Sequence, residues 1–137
     1  MRRMSISPRE SIYDLLAEAR HLLHRLEPQE ALAAMRHGAL LIDTRSRDEV
    51  QRTGGVPGAL HFRLSVLEWR VDPASEGRDP RVGDLDSRLI LMCAQGYSSS
   101  LAARRLQQLG FRATTDVIGG FEAWKAAGLP VLPPDPE

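Results

Sequence analysis

Leu89-Ile90-Leu91-Met92-Cys93-Ala94-Gln95-Gly96-Tyr97-Ser98-Ser99-Ser100 is the stretch on which the fold turns. Four apolar residues in a row, without polar alternation, read as a strand buried on both faces, the kind a parallel sheet uses. Ala94 to Tyr97 form a tight loop containing one glycine. Ser98, Ser99 and Ser100 then offer N-caps to a helix through Leu101, Ala102, Ala103, Leu106 and Leu109, stopped by Gly110. Strand, tight turn and helix in this order belong to an α/β pattern.

The unit repeats on both sides. Upstream, Ala39-Leu40-Leu41-Ile42 ends in Asp43, and Ser46 to Arg52 reads as a short polar helix. Gly54, Gly55, Pro57 and Gly58 form a turn before a brief strand over Ala59 to Phe62, and a short helix takes in Val66, Leu67 and Trp69. Downstream, a strand lies within Ala113 to Ile118, and Gly119-Gly120 turns into a helix through Phe121, Ala123 and Trp124. Asp72 to Ser87 is polar and rich in Pro, Gly and Asp, a long surface loop. Alternating strands and helices give an α/β domain: a mostly parallel central sheet flanked by helices in three layers.

Ahead of this core, Ser7, Pro8 and Glu10 form a helix-start signal. Ile12, Leu15, Leu16, Ala19, Leu22, Leu23 and Leu26 recur at helical spacing and predict an N-terminal amphipathic helix of four to five turns. Glu10, Asp14, Glu18, Arg20 and Arg25 fall on its polar face. The apolar stripe either packs on the domain or forms a homodimer or partner interface. Pro28 starts a second helix, with Ala31, Leu32 and Met35 on its apolar side and Gly38 ending it. The resulting division is an N-terminal extension (1–26), a domain (27–132) and a tail (133–137).

Composition narrows the function. The chain has 137 residues, 42% hydrophobic and 26% charged, the make-up of an ordinary globular domain. Eighteen basic and eighteen acidic residues cancel, which argues against nucleic acid as a partner. No long apolar run or signal peptide is visible, so the expectation is a cytoplasmic protein without membrane contact. Cys93 is the only cysteine, which excludes an internal disulfide and a cysteine zinc cluster. His21 and His24 lack an acidic or cysteine partner, so no metal site is expected.

Cys93 stands beyond the carboxyl end of a parallel strand, where open α/β sheets place their ligands. A free thiol with pKa near 8.5 is only a few per cent thiolate at neutral pH. Backbone N–H groups curled around the sulfur and a helix N-terminus both favour the anion. Lowering the pKa by two units takes about 2.7 kcal/mol of differential stabilisation, within reach of several converging N–H groups. Gly96 suits such a loop because it adopts positive φ at no steric cost.

The segment Cys93-Ala94-Gln95-Gly96-Tyr97-Ser98-Ser99 resembles the active-site loop of the rhodanese-like sulfurtransferases. Leu41-Ile42-Asp43-Thr44-Arg45 resembles the strand carrying that family's Asp-x-Arg signature, and Gly55-Val56-Pro57-Gly58-Ala59 resembles its Gly-His-Ile-Pro-Gly-Ala turn. Gly119-Gly120-Phe121-Glu122-Ala123-Trp124, with Gly128-Leu129-Pro130 after it, resembles the C-terminal landmark. The resemblance implies a single-domain, cofactor-free enzyme. Cys93 would take a sulfane sulfur from a donor such as thiosulfate, become a persulfide and pass the sulfur to cyanide or a cellular thiol. It further implies that Ala94, Gln95, Gly96, Tyr97, Ser98 and Ser99 bind substrate and persulfide. Asp43 and Arg45 would support the site or form a structural ion pair. A protein sulfur donor or acceptor stands beside the small molecules as a partner.

Two features depart from the family pattern. Many of its loops carry a cation at a late position, here Tyr97, Ser98 or Ser99, so an anionic donor would rely on N–H dipoles and hydroxyls. Modest salt dependence is therefore expected, with Arg104 or Arg105 the candidates should it prove steep. Gly55 stands where the turn usually has His. Two rival readings are a non-catalytic rhodanese-like binding module and a phosphatase or arsenate reductase. The second class closes its Cys loop with an Arg, and none falls between Cys93 and Arg104.

Overall fold

The computed structural model describes residues 9–136. Helices α1 (Ile12–His21) and α2 (Pro28–Arg36) precede strand β1 (Leu40–Asp43) and helix α3 (Arg47–Thr53). Strand β2 (Leu60–His61), a 3-10 turn (Leu64–Val66) and α4 (Leu67–Val71) follow. After a long loop come β3 (Leu89–Met92), α5 (Ser98–Gln108), β4 (Thr114–Asp116) and α6 (Gly120–Ala126). The four strands pair in parallel in the order β2-β1-β3-β4.

Register explains the continuous apolar runs. Leu41 lies beside Ile90 and Ile42 beside Leu91, and successive residues point to opposite faces. One face buries Leu41, Ile90 and Met92 against Ala31 of α2 and Phe121 and Trp124 of α6. The other buries Ile42, Leu89 and Leu91 against Leu67 and Val71 of α4 and Ala103 and Leu106 of α5. With both faces covered, β1 and β3 hold only apolar residues until they emerge at Asp43 and Cys93, whereas the edge strand β4 carries Thr114 and Thr115 ahead of Asp116.

The N-terminal helix is shorter than its apolar spacing predicts. Ser7 and Pro8 lie outside the described residues; the observed N-cap is Ser11, in a reciprocal capping box with Asp14. The helix ends at His21, and Leu26 leaves the helical path to pair as a strand residue with Val117. Its N–H donates to Asp116 O at 3.0 Å and its C=O accepts from Ile118 N–H at 2.8 Å. Tertiary pairing at the sheet edge thus overrides the helical period. Leu16 and Ala19 are buried in the contact with α5, while Ile12, Leu15 and Leu22 stay largely exposed.

Residues 72–87 contain neither helix nor strand, yet Asp79 and Val82 are buried within them. The Asp79 carboxylate accepts from the Arg81 amide at 2.9 Å and its guanidinium at 2.6 Å, and from Arg70 at 3.3 Å. Side-chain hydrogen bonding from Arg81 is the main reason that this carboxyl is lowered to about 2. No described helix is long and apolar enough to cross a membrane.

Candidate active site

Cys93 follows Met92 at the carboxyl end of β3, only 7% exposed, at the floor of a cavity of about 480 Å3. The Gly96 N–H donates to its sulfur at 3.1 Å, and the Cys93 thiol lies 3.3 Å from Ser99 Oγ. Gly96 has φ +84°, and a Cβ there would come within 2.7 Å of the Gly119 nitrogen, so both conformation and space demand glycine. The Gly119-Gly120 turn buttresses the loop from behind. Phe121 N–H donates to Cys93 O at 2.8 Å, and Glu122 N–H to Ala94 O at 3.0 Å. A Cβ on Gly120 would sit 2.4 Å from Cys93 O. These contacts draw the loop carbonyls away from the sulfur. The amides of Ala94, Gln95, Tyr97 and Ser98 make no hydrogen bond to the described residues.

Burial pushes the Cys93 thiol up, but hydrogen bonds from Ser99, Ser98 and the Gly96 amide outweigh it and hold the thiol below its ordinary value. Ser99 has one hydroxyl proton and two acceptors within reach. With a neutral thiol, Ser99 donates to Asp116 Oδ2 at 2.7 Å and accepts from the thiol. Once the sulfur ionises, that proton can turn to it, because Asp116 keeps the Ser100 hydroxyl at 2.8 Å and Arg25 at 2.9 Å. The serines therefore do not cap α5, whose N-cap is Tyr97 without a side-chain bond. They sit inside the first turn, where the buried Asp116 carboxylate captures the hydroxyls of Ser99 and Ser100.

Arg45, Glu49, Arg63, Ser65, Tyr97 and Ser98 line the cavity around Cys93. The loop itself holds no cation, but Arg63 adds one from outside it: it follows β2, is exposed and lines the same cavity as Cys93. Arg104 and Arg105 do not line the cavity; Arg105 pairs instead with Glu68 at 3.5 Å. Gln95 also lines the cavity, with its side-chain amide 3.2 Å from Glu122.

Asp43 and Arg45 come together at the end of β1, next to β3. Arg45 is 4% exposed and makes a fork onto Asp43, at 3.0 Å from Nε and 2.7 Å from Nη2. Its remaining donors reach Thr53 Oγ1 at 2.7 Å and Gly54 O at 2.8 Å, and its plane lies 4.0 Å from the Phe121 ring centre. The guanidinium is thus already committed on every side, tying β1, α3 and α6 together beneath the cavity. His61 Nε2 donates to Arg45 O, 2.6 Å away, on the same support.

Sequence reasoning missed the layer behind the loop: Arg20, Arg25, Ser100 and Asp116. Asp116 is fully buried, and the Arg25 fork holds both its oxygens. An acidic residue closing a strand within the 113–118 segment is the available signal; Arg20 and Arg25 read from spacing alone as part of the polar face of the N-terminal helix.

A parallel sheet that delivers a single cysteine into an amide-lined loop ahead of a helix defines an α/β cysteine-loop domain. The chain belongs to the rhodanese-like domain family, whose model matches residues 27–127. Thiosulfate sulfurtransferase GlpE of Haemophilus influenzae is 32% identical over 108 residues, covering 77% of this chain and 91% of that protein. The GlpE of Pseudomonas savastanoi is 33% identical over 102 residues, 74% and 87% of the two chains. Among solved structures, a protein of unknown function from Rhodopseudomonas palustris, titled a possible tyrosine phosphatase, superposes with TM-score 0.82 at 30% identity, covering 93% and 98%. The polysulfide-sulfur transferase of Wolinella succinogenes shares the fold, with TM-score 0.66 at 21% identity over 85% and 83%.

Proposed function

We propose that this protein is a sulfurtransferase of the thiosulfate type, working through a persulfide on Cys93. The observation that carries the reading is a lone, acidified thiol held by Gly96 and Ser99 at the floor of an open cavity with a cation on its wall. The Cys93 thiolate attacks the outer sulfur of thiosulfate. The sulfur–sulfur bond of the donor breaks, sulfite leaves with its electron pair, and Cys93 becomes a persulfide anion. A nucleophile such as cyanide or a thiolate then takes the outer sulfur and returns the Cys93 thiolate. Charge balances in both steps, and neither needs a cofactor.

The geometry suits each stage. The Gly96 N–H on the sulfur, together with loop amides that bind no described acceptor, supports a cradle for the second sulfur. Arg63 and Ser65 on the wall suit the sulfonate end of the donor. The same relatives support this substrate class, being thiosulfate sulfurtransferases that match most of the chain. Phosphoryl transfer has less support, because the sixth residue after Cys93 is Ser99, turned toward Asp116, and the loop holds no arginine.

Intact mass before and after incubation with thiosulfate tests the proposal. A gain of one sulfur atom that cyanide removes, absent in Cys93→Ser, is the expected result. A reduced wild-type thiol that gains nothing from thiosulfate or from a protein persulfide donor, or hydrolysis of p-nitrophenyl phosphate in its place, would overturn it.

A further inference from the structure

Two arginines ahead of the family-matched span reach the back of the Cys93 loop. Arg20, in the last turn of α1, donates from Nη2 to Gly96 O at 2.7 Å and from Nε to Ser100 Oγ at 3.1 Å. Arg25, in the connector after α1, donates from Nη2 to the same Gly96 O at 3.0 Å while its fork holds Asp116. One carbonyl thus accepts two charged donors, both from the polar face of the N-terminal segment.

The peptide plane gives the clamp its meaning. Gly96 C=O and Tyr97 N–H belong to one trans peptide and point in opposite directions. Holding the carbonyl on the arginine side turns the Tyr97 N–H the other way, and this amide has no described acceptor. A glycine at φ +84° has little intrinsic resistance to a peptide flip, which would present a carbonyl oxygen where the cradle needs a donor. The loop itself carries no cation. Arg20 makes no ion pair with a described carboxylate, so its charge is not cancelled locally, whereas that of Arg25 is offset by Asp116.

We infer that Arg20 and Arg25 are positioning residues of the cradle: the N-terminal segment clamps the Gly96–Tyr97 peptide and supplies from behind the positive charge missing from the loop. The inference rests on the reading of Cys93 as the reactive thiol. It makes α1 and its connector part of the active site. The shape of the contact agrees, since α1 buries Leu16 and Ala19 in its packing on α5, the helix that follows the loop.

Because Cys93 is the only cysteine, its alkylation by iodoacetamide as a function of pH reads the thiol without any sulfur substrate. Arg45, Glu49 and Arg63 on the cavity wall and Asp116 behind Ser99 are the other charged groups facing it. Arg20→Met keeps all four. The expected result is an alkylation midpoint raised by about one pH unit, with a lower kcat for sulfur transfer and a nearly unchanged KM and melting temperature. Arg20→Lys should restore part of the midpoint shift, because charge returns without the fork. Arg25→Met strands a buried carboxylate and can fail to fold, so it is made together with Asp116→Asn, a pair that removes the charges at once. An alkylation profile identical to wild type in folded Arg20→Met and in the folded double variant would overturn the clamp. A shifted profile in a protein that never accepts sulfur would support the clamp while sinking the sulfurtransferase reading, so the two fail separately.

Discussion

Arg45 folds back on Asp43, two residues before it, and the two side chains close a fork with Nη2 to Oδ2 at 2.7 Å while nearly hidden from solvent. Removing one member of such a buried pair leaves the other charged and unpartnered, which costs about 3–5 kcal/mol. Arg45→Met should therefore lower the denaturation midpoint sharply. Arg45→Lys should not rescue it, since an ammonium cannot serve Asp43, Thr53 and Gly54 together. Chemical denaturation checks this. A variant with wild-type stability and a raised KM for thiosulfate would instead make Arg45 a substrate ligand.

Gly96→Ala attacks the cradle directly. The methyl group would meet the Gly119 nitrogen at 2.7 Å, and an alanine at φ +84° is strained in any surroundings. The loop must shift, carrying the Gly96 amide away from the sulfur. A displacement of about 1 Å at a reacting centre can cost about 100-fold in rate. We expect a loss of that order in the rate of persulfide formation, followed by rapid-quench mass measurement, with the far-ultraviolet circular dichroism of a folded domain.

The parallel core was legible because strands covered on both faces cannot hide their composition: Leu89 to Met92 and Leu40 to Ile42 admit no polar residue. Cys93 was legible for the same reason, as the first residue beyond the buried run. What escaped was set by partners distant in sequence. The helical spacing of Leu22, Leu23 and Leu26 is real, but pairing of Leu26 with Val117 ends the pattern at the sheet edge. Arg20 and Arg25 have the periodicity of a polar helix face, and only the fold brings Gly96 and Asp116 to them. Serines at a helix start signal caps by propensity alone; a carboxylate arriving from β4 gave Ser99 and Ser100 another partner. Arg63 had no local signature at all.

Arg63 is the group expected to set the salt response. It is the exposed cation on the cavity wall, and its Nε lies 3.2 Å from Ser65 Oγ. An exposed charge contributes about 0.2–1 kcal/mol to an ionic contact, a factor of up to about five in affinity. Arg63→Ala should raise KM for thiosulfate by about two- to five-fold and flatten the dependence of KM on ionic strength. Alkylation of Cys93 by neutral iodoacetamide should change little. Steady-state kinetics across a salt series make the comparison, and an unchanged salt slope would assign the steering to another group.

The Asp79 knot gives the protein an acid-sensitive element remote from the chemistry. Its carboxyl is lowered from 3.8 to about 2, chiefly by side-chain hydrogen bonding from Arg81, with the Arg81 amide next and Arg70 adding charge. In the unfolded chain the group protonates as pH falls through about 4, whereas in the folded chain it stays ionised until about 2. The unfolded state therefore binds more protons in that window, and stability rises with pH across it. The contribution is fully present above the unfolded value and is lost as pH falls toward the folded one. Arg70 is partly exposed and Arg81 exposed, so solvent screening keeps the gain small. Asp79→Asn should be less stable than wild type at pH 7, and the gap should close between pH 4 and pH 2. Because residues 72–87 contribute nothing to the lining of the Cys93 cavity, sulfur transfer at neutral pH should be retained. Urea denaturation of both proteins at several pH values provides the measurement, and a gap constant down to pH 2 would show that Asp79 stabilises the loop by packing rather than by charge.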